Sequence, residues 1–201
     1  MKKYILASLL FIGCIIFSFA QVHTNSKALS AKIIMTSGEV LETTLIPFPI
    51  KFDLNYIKVK EGDRIRKIKK KNIEKMFVEN DVYVNKNVYS PSGKRILKNK
   101  KLLRVVVLGK VNLYCDTYTV QEPDPFANGP IFFKRNVYYC QKDSEDAATM
   151  IHYDFDNFNK NDGFKTAAAN YFSDNESITE KIKNETFTYK DVVAVVEEYN
   201  K

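Results

Sequence analysis

His152 and the acid-rich stretch behind it are the residues whose types and spacing come nearest to a reactive site. Asp154, Asp156, Asn157, Asn159, Asn161 and Asp162 set hard oxygen ligands at near-alternating positions before Gly163, a pattern that suits calcium. Counted from Asn157, however, the glycine falls one residue late and the closing position holds Ala168 instead of glutamate, so the stretch reads as the loop that enters a helix. A zinc site or a histidine-based nucleophile needs more than His152 and His23 offer. The sequence holds no Cys-x-x-Cys, no His-Glu-x-x-His and no Gly-x-Ser-x-Gly, and His152 reads as a surface or strand-end residue. Ser90-Pro91-Ser92-Gly93-Lys94 has a glycine-lysine pair without phosphate-loop spacing and reads as a turn. Carboxylate pairs such as Asp154 with Asp156, or Glu122 with Asp124, keep a carboxylate-based hydrolase as an alternative, although any acidic loop supplies such pairs. No metal or cofactor is expected.

Two other sets of residues carry chemistry of a milder kind. Lys58 and Lys60, followed by Arg64, Arg66, Lys67, Lys69, Lys70 and Lys71, form the densest basic run. Lysines on an exposed strand discourage edge-to-edge pairing, which is the plainer role; contact with an anionic glycan or other anionic surface is the sharper one. Cys115 and Cys140 are an even pair beside Tyr114 and Tyr139. In an exported chain they are expected to bridge, which would stabilise the fold by about 3.5 kcal/mol on the chain-entropy model, with two separate buried thiols as the alternative.

Export is the expectation because of the start of the chain. Lys2 and Lys3 precede an apolar run from Tyr4 to Phe19, and Ser18-Phe19-Ala20 offers small residues for a peptidase before Gln21. Retention as a membrane anchor is the weaker reading, since Ser8, Gly13, Cys14 and Ser18 interrupt a run shorter than the roughly 20 residues a span needs. Lipid attachment at Cys14 is a second alternative; Gly13 suits it, but Phe11 and the apolar residues after Cys14 do not. The formal charge of +7 comes mostly from lysine, with arginine only at 64, 66, 95, 104 and 135. Together with export, this argues against nucleic acid as a partner, because base readout leans on arginine.

The elements that would position these groups follow from turns and periodicity. A polar tether over 21–30 leads into Lys32–Thr36 and Val40–Leu45 around Ser37-Gly38-Glu39, then Tyr56–Lys60 and Arg64–Lys69 around Glu61-Gly62-Asp63. Ile73–Glu79 and Val82–Val84 flank Asn80-Asp81, and the three hairpins in succession predict an antiparallel meander. Leu102–Leu108 reads as a strand ending in a bend at Gly109 and continuing through Val111–Tyr114. Ile131–Phe133 and Val137–Cys140 return beyond a loop from Pro123 to Phe133, whose aromatics read as core or as a contact surface. The last third turns helical. Phe164, Ala167, Ala168 and Tyr171 share one helix face, Ser177 and Glu180 suit a capping box, and Thr188 caps a stripe of Val192, Val195, Val196 and Tyr199 that Asn200 ends. The result is an α+β chain: signal peptide 1–20, tether 21–30, a β-rich domain 31–160 that is curled or barrel-like, and a cap of three short helices over 161–201.

The leader ending Phe19-Ala20-Gln21, the segment Gly109-Lys110-Val111-Asn112-Leu113-Tyr114, and Ala169-Asn170-Tyr171-Phe172-Ser173-Asp174 leading to Tyr199-Asn200 resemble exported cell-envelope proteins of Bacteroidota. The resemblance implies a place in the periplasm, at the outer membrane or outside the cell, with membrane contact at most peripheral. No catalytic residue belongs to the shared segments. The leading expectation is a binding or assembly module whose partner is an envelope protein or an anionic glycan; a structural lipoprotein held at Cys14 is the other non-catalytic reading.

Overall fold

The computed structural model describes residues 29–46, 55–90, 93–123, 130–154 and 160–201. The leader, Cys14 and most of the tether lie outside the described residues, although Leu29 and Ser30 already belong to the first strand. Among the described residues ten strands form one antiparallel sheet: β1 (Leu29–Met35), β2 (Val40–Leu45), β3 (Tyr56–Glu61), β4 (Arg64–Lys69), β5 (Ile73–Val78), β6 (Asp81–Lys86), β7 (Lys101–Val107), β8 (Val111–Pro123), β9 (Pro130–Lys142) and β10 (Thr149–Tyr153). Three α-helices follow among the same residues, α1 (Lys160–Tyr171), α2 (Glu176–Lys183) and α3 (Val192–Tyr199). The class is α+β, as expected, and the sheet is open, with β10 and β4 at its edges.

The hairpin turns sit where small or polar residues allow a left-handed backbone. Gly38 (φ 86°) turns β1 into β2 and Gly62 (φ 58°) turns β3 into β4. The third turn falls one residue earlier than expected, on Glu79 (φ 51°), because Val78 pairs with Asp81 and leaves only Glu79 and Asn80 between them.

Strand order departs from a simple meander. β5 does not pair with β4; it returns to the free side of β1, giving the order β10-β9-β8-β7-β6-β5-β1-β2-β3-β4. Four inter-strand steps separate β4 from β5, about 19 Å in a flat sheet. The link from Lys69 to Ile73 is a single 3₁₀ turn, Lys70–Asn72, which can reach at most about 14 Å. The sheet must therefore bend over its apolar face. Ile33, Ile57, Val59, Ile68, Ile73 and Met76 from four strands meet there in one buried cluster. Asn85 Nδ2 on β6 fixes the turn by donating to the carbonyls of Lys70 (2.9 Å) and Ile73 (2.7 Å).

Two further departures concern β7 to β10. Val111–Tyr114 does not continue β7; the chain reverses at Leu108–Lys110 and β8 runs back antiparallel, with Val107 opposite Leu113. Asn112 Oδ1 accepts from the Gly109 amide at 3.3 Å and holds that reversal. The segments expected at Ile131–Phe133 and Val137–Cys140 form one unbroken strand, β9, paired with β8 along its whole length. β10 carries no alternating signal of its own and forms against the far side of β9.

The helices cover β8 to β10. Phe164, Ala168 and Phe172, then Ile178 and Ile182, then Val192, Val195 and Val196, pack on Val111, Leu113, Cys140 and Ile151. α2 is capped by Asn175, whose side chain accepts from the Ile178 amide at 3.1 Å, and not by Ser177. Thr188 and Asp191 do form a reciprocal capping box, at the 3₁₀ turn Tyr189–Asp191 that leads into α3. Asn200 ends α3 as expected and also clasps the sheet: its Oδ1 accepts from the Val111 amide (2.8 Å) and its Nδ2 donates to the Val111 carbonyl (2.9 Å). No helix among the described residues is long and apolar enough to cross a membrane.

Candidate functional site

The bend that carries β4 across to β5 leaves a cleft of about 590 Å³ beside the 3₁₀ turn. One wall is Asn55, Tyr56 and the basic stretch Lys69, Lys70 and Lys71. The opposite wall is the segment that enters β7, with Leu97, Lys98, Asn99, Lys100, Lys101 and Leu102. Asp116 and Tyr118 of β8 form the floor. Six lysines thus face a single carboxylate.

The floor is a tight polar knot. Lys101 Nζ donates to Asp116 Oδ2 at 2.9 Å and to the Tyr118 hydroxyl, and the Tyr118 hydroxyl donates to the same carboxylate oxygen. The ammonium also lies over two rings, 5.0 Å from the centroid of Tyr118 and 5.8 Å from that of Tyr139. Burial alone would push the Lys101 ammonium down, but the Asp116 charge, Tyr139 and their hydrogen bonds outweigh it and the pKa is raised. Burial and the Asp116 charge push Tyr118 up, and burial pushes Tyr139 to about 12. Lys101 is thus held as a fixed cation and both phenols stay neutral.

The rim differs. Among the described residues Lys69, Lys71, Lys98 and Lys100 have no acidic partner, and Lys69, Lys71, Lys98 and Lys100 are all exposed. Four ammonium groups held around one cleft repel one another, and an anion entering among them relieves that repulsion.

Only part of the expected basic patch belongs here. The β3–β4 register pairs Lys58 with Lys67, Val59 with Arg66, Lys60 with Ile65 and Glu61 with Arg64. Alternation therefore sends Lys58, Lys60, Lys67 and Lys69 to one face of the hairpin and Arg64 and Arg66 to the other. Arg66 is paired with Glu61 at 2.9 Å and approaches Glu39 at 3.9 Å. Of the eight residues, Lys69, Lys70 and Lys71 line the cleft. Their partners Lys98, Lys100 and Lys101 form a second basic run whose only signal in the sequence is its lysine spacing. Nothing local ties the two runs together; the bend does.

The disulfide expected between Cys115 and Cys140 is not formed, and both are free buried thiols. Cys140 stands opposite Leu113 and Cys115 opposite Tyr138, so the two cysteines are diagonal neighbours. Diagonal Cβ atoms lie about 7 Å apart, against roughly 3.8 Å for a disulfide. The Cys115 thiol is turned to Asn136 Oδ1 (3.6 Å) and Thr117 Oγ1 (3.7 Å) instead. Burial pushes both thiols up, which makes them poor nucleophiles.

His152 is not a surface residue. It is 3% exposed, with Nε2 at 3.0 Å from Asp154 Oδ1, and its ring packs among Tyr138, Phe164 and Tyr189. Asp154 also accepts from the Asn136 amide at 3.3 Å. Asp156, Asn157 and Asn159 of the acid-rich stretch, and Phe126 in the loop before β9, lie outside the described residues. Phe133 is exposed at 36%, under the guanidinium of Arg135 at 5.4 Å, and so is not core. Comparison with protein-family models, with curated proteins and with solved structures finds no match for this chain, and the lysine-lined cleft is the candidate site on its own residues alone.

Proposed function

We propose that the chain is an exported, envelope-associated binding module whose lysine-lined cleft takes an anionic ligand of the acidic-glycan kind, with no catalytic step. The observation that carries this reading is the convergence of Lys69, Lys71, Lys98 and Lys100 on one concave site without acidic partners among the described residues. Lysines placed only to protect a strand edge would spread along β4. Here two runs about thirty residues apart are brought to face each other by the fold. The bend forced by the link from Lys69 to Ile73 supports a barrel-like reading of the β1–β5 half, with the cleft at its rim. The hydrolase alternative asks for two carboxylates in one pocket, and this cleft offers Asp116 alone, tied to Lys101 and Tyr118. The leader pattern of Lys2, Lys3 and the apolar run to Phe19 supports export.

Isothermal titration of the purified protein with two small polyanions, pyrophosphate and digalacturonate, tests the reading. At least one is expected to bind at low ionic strength, to weaken as salt rises, and to weaken again in Lys98→Gln/Lys100→Gln with the unfolding midpoint unchanged. Heat signals absent for both, or equal in wild type and variant, would refute it.

A further inference from the structure

We infer that the ligand of this cleft is a saccharide bearing two phosphate groups, a deduction that rests on the anion-binding reading above. Charge comes first. A phosphate monoester carries about −1.5 to −2 at neutral pH, so two of them balance the four rim lysines that lack acidic partners, whereas two carboxylates balance only half. Donor type is compatible with phosphate. Every cation of the cleft is lysine and none is arginine, whose planar fork pairs with carboxylate and phosphate alike. Lysine is a point charge with three rotatable donors, suited to the three-fold oxygen array of a phosphate.

The floor demands something phosphate cannot supply. Asp116 Oδ2 accepts from Lys101 and from Tyr118, while Asp116 Oδ1 receives no hydrogen bond from any described residue. A carboxylate oxygen at the bottom of a cationic cleft repels phosphate and accepts from a hydroxyl. The amides of Asn55 and Asn99 add donors and acceptors on the walls, and the Tyr56 ring and Leu102 add apolar surface for the C–H face of a sugar. Phosphate at the rim with hydroxyls at the floor describes a phosphorylated sugar. The cleft's volume falls within the roughly 300–1,000 Å³ of small-molecule sites. Such a group occurs as a free sugar phosphate and as the headgroup of a phosphorylated glycolipid.

Titration calorimetry with a hexose bisphosphate, digalacturonate and pyrophosphate separates the parts. The hexose bisphosphate is expected to bind about ten-fold or more tighter than either of the others. Asp116→Asn and Asn99→Ala should each weaken the hexose bisphosphate and not weaken pyrophosphate, which should bind Asn99→Ala as it does the wild type and Asp116→Asn more tightly because the repelling charge is gone; Asn99 lies in a surface segment, so its variant keeps the test open if Asp116→Asn unfolds. Digalacturonate binding equally well overturns the phosphate assignment while leaving the anion-binding reading intact. Pyrophosphate binding equally well overturns the sugar assignment in the same way. Silence from all three overturns both. Co-sedimentation with phosphatidylcholine vesicles carrying diphosphoryl lipid A then assigns the source. Capture there, and not by phosphatidylglycerol vesicles, marks a glycolipid headgroup. Binding of the hexose bisphosphate without vesicle capture marks a free sugar phosphate. Equal capture by phosphatidylglycerol contradicts the saccharide requirement.

Discussion

Asn200 shows how much one side chain can hold. It satisfies both backbone groups of Val111 and so ties the end of α3 to the start of β8. A Cβ on Gly109 would sit 2.5 Å from the same side chain, so glycine is required there by close approach. Asn200→Ala is expected to cost about 1–3 kcal/mol in urea unfolding. Gly109→Ala is expected to destabilise the wild type but far less the Asn200→Ala background; additive effects in that cycle would contradict the clash. Titratable groups place a second prediction at this scale. Tyr139 is raised to about 12, and Lys101 is raised against its own burial by Asp116 and Tyr139. Both raised values contribute stability that is complete below the unfolded pKa values, near 10, and lost as pH rises beyond them. The urea midpoint should fall above about pH 10, less steeply in Tyr139→Phe. At the acid end, hydrogen bonds from Lys142 and Tyr199 lower Asp174, so its contribution is present above about pH 4 and lost below. Identical pH profiles for wild type, Tyr139→Phe and Asp174→Asn would contradict these assignments. The clasp by Asn200 was half legible: its type marked a helix stop, but its partner Val111 is 89 residues away.

At the level of elements, hairpins and helices were legible because each is written in neighbouring residues. Gly38 and Gly62 mark turns that only a positive φ allows, and Val192, Val195 and Val196 mark one face of one helix. Choices among competing local options were harder. Asn175 caps α2 in preference to Ser177, two residues on, and β10 exists because β9 presents an edge to Thr149–Tyr153. The pairing of Cys115 and Cys140 fails by register: β8 and β9 are neighbours, but a two-residue offset separates the thiols. Reductant is accordingly expected to leave the unfolding midpoint unchanged; a fall of several degrees would reveal a bridge. Thr188→Ala should cost about 1 kcal/mol through loss of the capping box before α3. The exposed edge β4 makes a further prediction. Arg64→Thr/Lys67→Thr should raise concentration-dependent light scattering without changing the far-ultraviolet spectrum, because both charges guard the outer edge of a strand that pairs only with β3 among the described residues.

The whole molecule supplies what no element contains. A three-residue turn has to connect strands four places apart, the sheet bends, and two lysine runs meet across the resulting cleft. The first run was visible in the sequence as a charged strand, with protection of the edge as its plain role; Lys98, Lys100 and Lys101 gained meaning only from tertiary structure. Periodicity reports which face of a strand is buried, and it is silent on which strand lies beside which. The order that places β5 beside β1 was therefore beyond a local reading, and the cleft with it. The most direct measurement is an NMR titration of the protein with a hexose bisphosphate. Amide shifts confined to residues 55–56, 69–71, 97–102 and 116–118, abolished by high salt, are the predicted result. Shifts scattered over the surface, or none at these residues, would contradict a cleft built to hold an anion.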